Sequence, residues 1–284
     1  MTEVSLFIGV VSHEGSRFAI SQGPEGLAHQ LAAVMPNVIV EVNVADLLEA
    51  GSPLVSPAGV QRSLTAEARV EQAWSRFLDR PRDLDWWRFS ASRMARRVWQ
   101  KLRPPSPQML RRLLNIELSH LNLMRQGLAS GAPWVLILED DAFASKVSDL
   151  SSGLLGVIGA AESSGTVGYV NLSESFTARQ LGIEHLLEPT AVTWTGSISR
   201  AIVSVRKPVT NTVCAILYSS TFLAKVVEAM ESLSMDPVVP IDWKLNMALM
   251  ALFEGGEAPA GTCWLVEPAP IAQMSMRSAE ILTP

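Results

Sequence analysis

"NIELSHLNLMRQGLASGAPWVLILEDDA", residues 115–142, decides how this chain is read. Its first half spaces apolar residues at helical intervals and stops at Gly131. Its second half is an apolar run that ends in three consecutive acids, Glu139, Asp140 and Asp141. A helix feeding an apolar strand is the repeating unit of an α/β sheet. Along an extended strand end, Glu139 and Asp141 point to one side and Asp140 to the other. In open α/β sheets ligands bind beyond the carboxyl ends of strands, where this triplet falls. Like charges so close raise each other's pKa unless a cation compensates, and a divalent ion held by oxygen ligands, Mg²⁺ or Mn²⁺, is the natural candidate. The plainer alternative is that the acids favour the start of the next helix or end the strand in solvent.

The same alternation of elements extends outward. "VSLFIGVV" (4–11) reads as a buried first strand, "GPEGLAHQLAAVM" (23–35) as a turn and helix, and "NVIVEVNV" (37–44) as a second strand. Downstream, "TVGYVNLSES" and "NTVCAILYSS" read as strands, "TFLAKVVEAMESL" as a helix, "VVPIDWKLNMALMALFEG" as a Pro-led helix and "CWLVEPAP" as a late strand. Between these, from about residue 60 to 107, the composition turns to Arg, Trp and Pro, which predicts a helical insertion ending at "RPPSP". The expectation is one α/β domain over residues 1–284, with a mixed sheet flanked by helices.

Composition excludes several classes. No apolar run approaches the roughly 18 to 20 residues of a membrane span, and the first strand lacks the flanks of a signal peptide, so a cytoplasmic protein is expected. Cys214 and Cys263 are the only cysteines, both in apolar surroundings, and read as buried reduced thiols rather than a disulfide framework or thiolate metal site. A phosphorelay receiver also carries a strand ending in acids, but it needs a downstream phosphoacceptor, and no Asp occurs between Asp149 and Asp236. Neither a GxGxxG nor a GxxxxGK[ST] motif is present.

The stretch 115–142 resembles the central block of glycosyltransferase family 25, the lipooligosaccharide and procollagen galactosyltransferase group, in which a helix carrying Ser-His-Leu precedes a strand ending in Glu-Asp-Asp. "VVSHEGSRF", "NTVCAILYSS", "VPIDWKLN" and "PAPIAQMSMRS" follow the family's order, while residues 50–107 have no counterpart. The resemblance implies a GT-A-like, Rossmann-type fold and metal-dependent, inverting transfer of a hexose from a nucleotide-sugar, a UDP-sugar by expectation, to a glycan or glycolipid. It implies Asp141 as the direct Mn²⁺ or Mg²⁺ ligand, with Glu139 at the ion and Glu139 and Asp140 around ribose and water. Arg17 matches an arginine that meets the nucleotide phosphates, and His120 is expected behind the site as a hydrogen-bonded histidine.

An inverting reaction needs a base for the acceptor hydroxyl. Asp242, in "PID" at a helix start, is the candidate, with Asp236 and Glu174 behind it. A structural reading of Asp242 is equally simple, because an acid in the first turn favours the helix dipole. Gln273 and Ser278 match late family positions without an assigned role. The family's fold without catalysis, as a binding or scaffold protein, is the competing reading.

The net charge of −5 hides an asymmetry: residues 86–116 contain eight Lys and Arg and no acid. Within them "WWRFSASRMARRVWQKLR" (86–103) interleaves aromatics and arginines at near-helical spacing, which predicts contact with an anionic membrane surface, or else an ordinary packed helix with solvated arginines. The acidic total and the lack of any recognition motif argue against nucleic acid. The expected place is the cytoplasm, peripherally on the inner membrane face.

Overall fold

The computed structural model describes residues 6–13, 16, 18, 23–44, 54–80, 87, 91, 94–95, 98–99, 106–173, 176–210 and 212–275. Over these the chain is a three-layer α/β structure built on one mixed eight-stranded sheet, in the order β2-β1-β3-β8-β5-β9-β7-β6. Its strands are β1 (Leu6–Val11), β2 (Val38–Asn43), β3 (Trp134–Glu139), β5 (Tyr169–Asn171), β6 (Leu187–Thr193), β7 (Ala201–Val205), β8 (Ala215–Ser219) and β9 (Cys263–Glu267). A separate two-stranded pair joins β4 (Ala142–Phe143) to β10 (Ala272–Gln273).

Period-two patterning explains the layers. Leu6, Ile8 and Val10 of β1 and Trp134, Leu136 and Leu138 of β3 face one hydrophobic cluster, with α1 (Leu27–Val34) and α4 (Val147–Ser164). Phe7, Val11, Val135 and Ile137 face the other, with α3 (Pro107–Ala129), the short α5 (Ala178–Leu181), α6 (Ser220–Ser232) and α7 (Ile241–Glu254). Strands apolar on both faces have to be covered on both faces, so the sheet is the middle layer.

Helix α2 (Pro57–Phe77) starts as its sequence dictates, with Pro57 in the first turn and the Ser56 side chain accepting from the Gly59 amide. It falls within the stretch expected as an insertion, and its helical character is as expected. Its packing is that of a core element: Trp74 is buried in the same cluster as α7 and meets Trp243 edge-on, with ring centroids 5.4 Å apart. Farther along, Trp87, Ala91, Met94, Ala95, Val98 and Trp99 are helical and exposed, Trp87 at 61% and Trp99 at 58%. Their spacing places them on one helical stripe. The arginines expected beside them at 88, 93, 96 and 97 lie outside the described residues.

Helix α3 sits unusually close to the sheet. A Cβ on Gly127 would stand 2.7 Å from Val135 Cγ1, and one on Gly9 of β1 would stand 3.1 Å from Leu123 Cβ. Glycine at 127 permits the closer of these approaches, and a side chain at 9 would require its neighbours to give by a few tenths of an ångström. The helix is thereby pressed against β1 and β3, and its Ser119 and His120 are fixed beside the end of β3.

β1 pairs in parallel with β2 on one side and β3 on the other. The chain leaves β1 toward α1 on one face and returns to β3 from α3 on the opposite face. The carboxyl ends of β1 and β3 therefore border a topological switch point, where the connecting segments diverge and leave a crevice.

Candidate functional site

That crevice is a cleft of about 910 Å³. Its floor is the end of β3, with Glu139, Asp140 and Asp141; one wall is the end of β1, with Ser12 and His13; the other is α3, with Gln108, Arg111, Arg112, Asn115 and Ser119. Gln273 and Ser275, beyond β9, close the far side. The volume is in the range of sites that take nucleotide-sized ligands.

All three acids reach the cleft. The alternation expected of an extended chain stops at Glu139, because Asp140 and Asp141 form the turn into β4. Asp140 accepts from Ser12 Oγ at 2.7 Å, which ties the ends of β1 and β3 together. Glu139 accepts from Gln273 Nε2 at 3.3 Å. Asp141 is only 6% exposed, and its Oδ2 is held by the Ser275 hydroxyl and, at 3.4 Å, by the Ser275 amide.

Burial is the main influence that pushes the Asp141 carboxyl up; the Ser275 hydrogen bond opposes it, and the charges of Glu139 and Asp140 add to it. Among the described residues no lysine or arginine forms an ion pair with any of the three acids. Three clustered carboxylates, one of them buried, without a cation is the electrostatic arrangement that a metal ion relieves.

Two further groups converge here. Cys214 is fully buried immediately before β8, which runs antiparallel to β3, and its carbonyl accepts from the Glu139 amide at 2.8 Å. Its Sγ lies 3.8 Å from Asp141 Oδ1. Burial first, then the charges of Glu139 and Asp141, push this thiol well up. Ligand atoms of Glu139, Asp141 and Cys214 all lie within 4.8 Å of one another. His120 is 1% exposed; its Nε2 makes no hydrogen bond and stands 3.7 Å from Glu139 Oε1. The histidine expected behind the site is in place, but its ring nitrogen toward the acids is unsatisfied.

Asp242 sits partly buried in the first turn of α7. Desolvation raises its pKa from the usual 3.8 to about 6, and repulsion from Glu139 and from Glu67 of α2 adds to the rise. It is thus electrically coupled to the acidic floor, although it does not itself line the cleft. Asp236 is on the surface, paired with Arg62 at 3.1 Å, away from the acids. Arg17, Glu174 and Ser278 lie outside the described residues.

Two residues at the site, Ser275 in the cleft lining and Cys214 buried behind it, had no signal in the sequence. Ser275 and Cys214 arrive through long-range strand pairing, and no local pattern marks them. Arg111 and Arg112 belong to the basic stretch 86–116; here they bring positive charge to the lining of the same cleft as the acids. Comparison with known proteins finds no family model that matches the chain and no curated protein that matches it.

Proposed function

We propose that this protein is a metal-dependent glycosyltransferase of GT-A-like fold that moves a hexose from a nucleotide-sugar, a UDP-sugar by preference, to a glycan or glycolipid. The observation that carries the reading is the cleft itself: acids at a switch point and Arg111 and Arg112 line one space of about 910 Å³. This is the charge arrangement that a diphosphate bridged by a cation requires.

Asp141 and Glu139 are the residues to hold Mn²⁺ or Mg²⁺; when bound, such an ion neutralises the charge that gathers on a departing nucleoside diphosphate. Asp140, held by Ser12, is available to hydroxyl groups of the nucleotide. Arg111 and Arg112 attract and orient the phosphates. His120 holds the neighbourhood of Glu139. Asp242 receives the acceptor proton: a pKa of about 6 leaves it ionised at neutral pH with more proton affinity than an ordinary aspartate.

The reading predicts ligand-linked stabilisation. UDP-hexoses at about 100 times their dissociation constant, with Mn²⁺, raise the melting temperature by about 5 °C, from about 2.7 kcal/mol of binding linkage. Asp141→Asn removes the manganese-dependent part. Indifference of the wild-type protein to every nucleotide-sugar tested, with and without metal, refutes the proposal. The position of Asp242 outside the cleft lining favours the competing reading, a non-catalytic binding protein of this fold. Manganese-dependent release of UDP from the donor separates the two.

The exposed stripe Trp87, Met94, Val98 and Trp99 supports a lipid-linked acceptor. It precedes the α3 residues that line the cleft, in a stretch with basic residues and no acid. No described helix is long and apolar enough to cross a membrane. Contact is therefore expected at the interface, with about 1 kcal/mol from each basic residue near an anionic leaflet. Co-sedimentation with phosphatidylserine-containing liposomes, weakened by Trp87→Ser with Trp99→Ser, is the expected result. Recovery with anionic liposomes no greater than in their absence removes the membrane contact.

A further inference from the structure

We propose that Cys214 is a metal ligand, and that Glu139, Asp141 and Cys214 form a carboxylate–thiolate centre that prefers borderline cations such as Zn²⁺ or Co²⁺ and, of the two ions named for the transferase, takes Mn²⁺ rather than Mg²⁺. The inference shares with the proposed transferase the premise that the end of β3 binds a cation. It is independent of any sugar chemistry.

Geometry carries the ligand set. Two ligands at about 2.3 Å for sulfur and about 2.1 Å for oxygen, set at a tetrahedral angle on one ion, lie about 3.6 Å apart. The Cys214 thiol donates a long hydrogen bond to Asp141 Oδ1 at 3.8 Å, and Glu139, Asp141 and Cys214 each offer one ligand atom within 4.8 Å of the others. The two oxygens of Asp141 are divided in function: Ser275 holds Oδ2, and Oδ1 is turned toward the sulfur. Backbone pairing between β3 and β8 fixes Cys214 beside Glu139, so little has to move for both to meet one ion.

A second, independent observation points the same way. His120 Nε2 is buried, makes no hydrogen bond and is aimed at Glu139 from 3.7 Å. A buried ring nitrogen whose nearest acceptor, Glu139, stands beyond hydrogen-bond reach is costly. It acquires a partner when Glu139 turns to bind an ion and accepts from Nε2–H, the outer-shell contact that orients ligating carboxylates.

The chemistry balances simply. The Cys214 thiol gives its proton to solvent as the sulfur–metal bond forms, with no change of oxidation state. Two carboxylates and a thiolate exceed the charge of a divalent ion by one, and His120 Nε2 stands beside the carboxylate of Glu139 that shares this excess. Thiolate donors favour zinc and cobalt, whereas magnesium demands oxygen ligands.

The test is a titration of the full-length, chelator-treated protein with Co²⁺ under reducing, thiol-free conditions. The expected result is an intense near-ultraviolet sulfur-to-cobalt charge-transfer band that saturates at one equivalent. Zn²⁺ bleaches it, and a large excess of Mg²⁺ leaves it intact. The band persists in Cys263→Ser, whose sulfur lies elsewhere against the Val209 carbonyl, and is lost in Cys214→Ser. Should Cys214→Ser fail to fold, X-ray absorption on the zinc-loaded Cys263→Ser protein decides, with a sulfur path at about 2.3 Å expected. Cobalt binding with an oxygen-and-nitrogen shell only, a band that survives in Cys214→Ser, or no cobalt binding overturns the proposal. A sulfur–cobalt band in a protein indifferent to nucleotide-sugars sinks the transferase reading and leaves this one standing. Donor-dependent stabilisation with an oxygen-only ion does the reverse.

Discussion

Asp242→Asn is expected to lower turnover by about 10²–10⁴-fold and, in the same protein, to raise stability at neutral pH. Both effects come from one displaced pKa. In the folded chain, burial and the nearby acids raise this carboxyl from 3.8 to about 6, so its ionised form is disfavoured by the fold. Below about pH 4 the group is protonated whether the chain is folded or not, and it costs nothing. Between about pH 4 and pH 6 the folded state binds more protons than the unfolded one, so stability falls as pH rises. Above pH 6 the full cost remains, about 2 kcal/mol once partial exposure is allowed for.

Asparagine removes that cost, so the stability gap between variant and wild type should open from pH 4 to pH 6 and stay open at pH 7. Urea denaturation of the metal-free proteins at pH 4 and 7 measures it. The rate profile supplies the complementary evidence, because the rising limb near pH 6 should vanish in the variant. Turnover within a few-fold of wild type would mean that the acceptor proton goes elsewhere.

The second large effect lies behind the site. Lys244 of α7 and Glu117 of α3 form an ion pair in which both side chains are buried, Glu117 at 1% and Lys244 at 3% exposure. Lys244→Ala leaves the Glu117 carboxylate buried without its cation, and a loss of about 3–5 kcal/mol is expected in urea denaturation. Glu117→Leu combined with Lys244→Met should recover most of that loss, because the desolvation of both charges disappears together. A single variant that costs less than about 1 kcal/mol would show that the pair is solvated in solution. The pair joins the helix that carries His120 and Arg111 to the helix that carries Asp242. The double variant thus tests whether the two helices need this contact to hold the site, or only their apolar packing.

The middle of the sheet was legible because its signals are local. Alternation in β1 and β3 sends Phe7 and Ile8, or Val135 and Leu136, to opposite layers, and both layers are apolar. The acids were legible because three in a row after such a strand are conspicuous. Other features were hidden for equally physical reasons. Strand alternation put Asp140 on the far side, but the chain turns one residue earlier than that rule assumes. β6 is partly exposed along its length and carries Glu188 and Pro189, so it lacks the apolar pattern by which a strand is recognised. Cys214 looked like a small hydrophobe because its apolar neighbours belong to β8. What makes it chemically interesting is the antiparallel pairing of β8 with β3, which no local stretch of sequence encodes.

The pairing of β10 with β4 brings a late stretch of chain onto the acidic floor. Gln273 and Ser275 reach Glu139 and Asp141 across 134 positions of chain, after every strand of the main sheet has been made. A nascent polypeptide that has emerged only as far as β9 already contains the whole framework, yet its acidic floor still faces water on that side. A chain cut short before residue 272 is therefore a scaffold whose carboxylates have lost their latch.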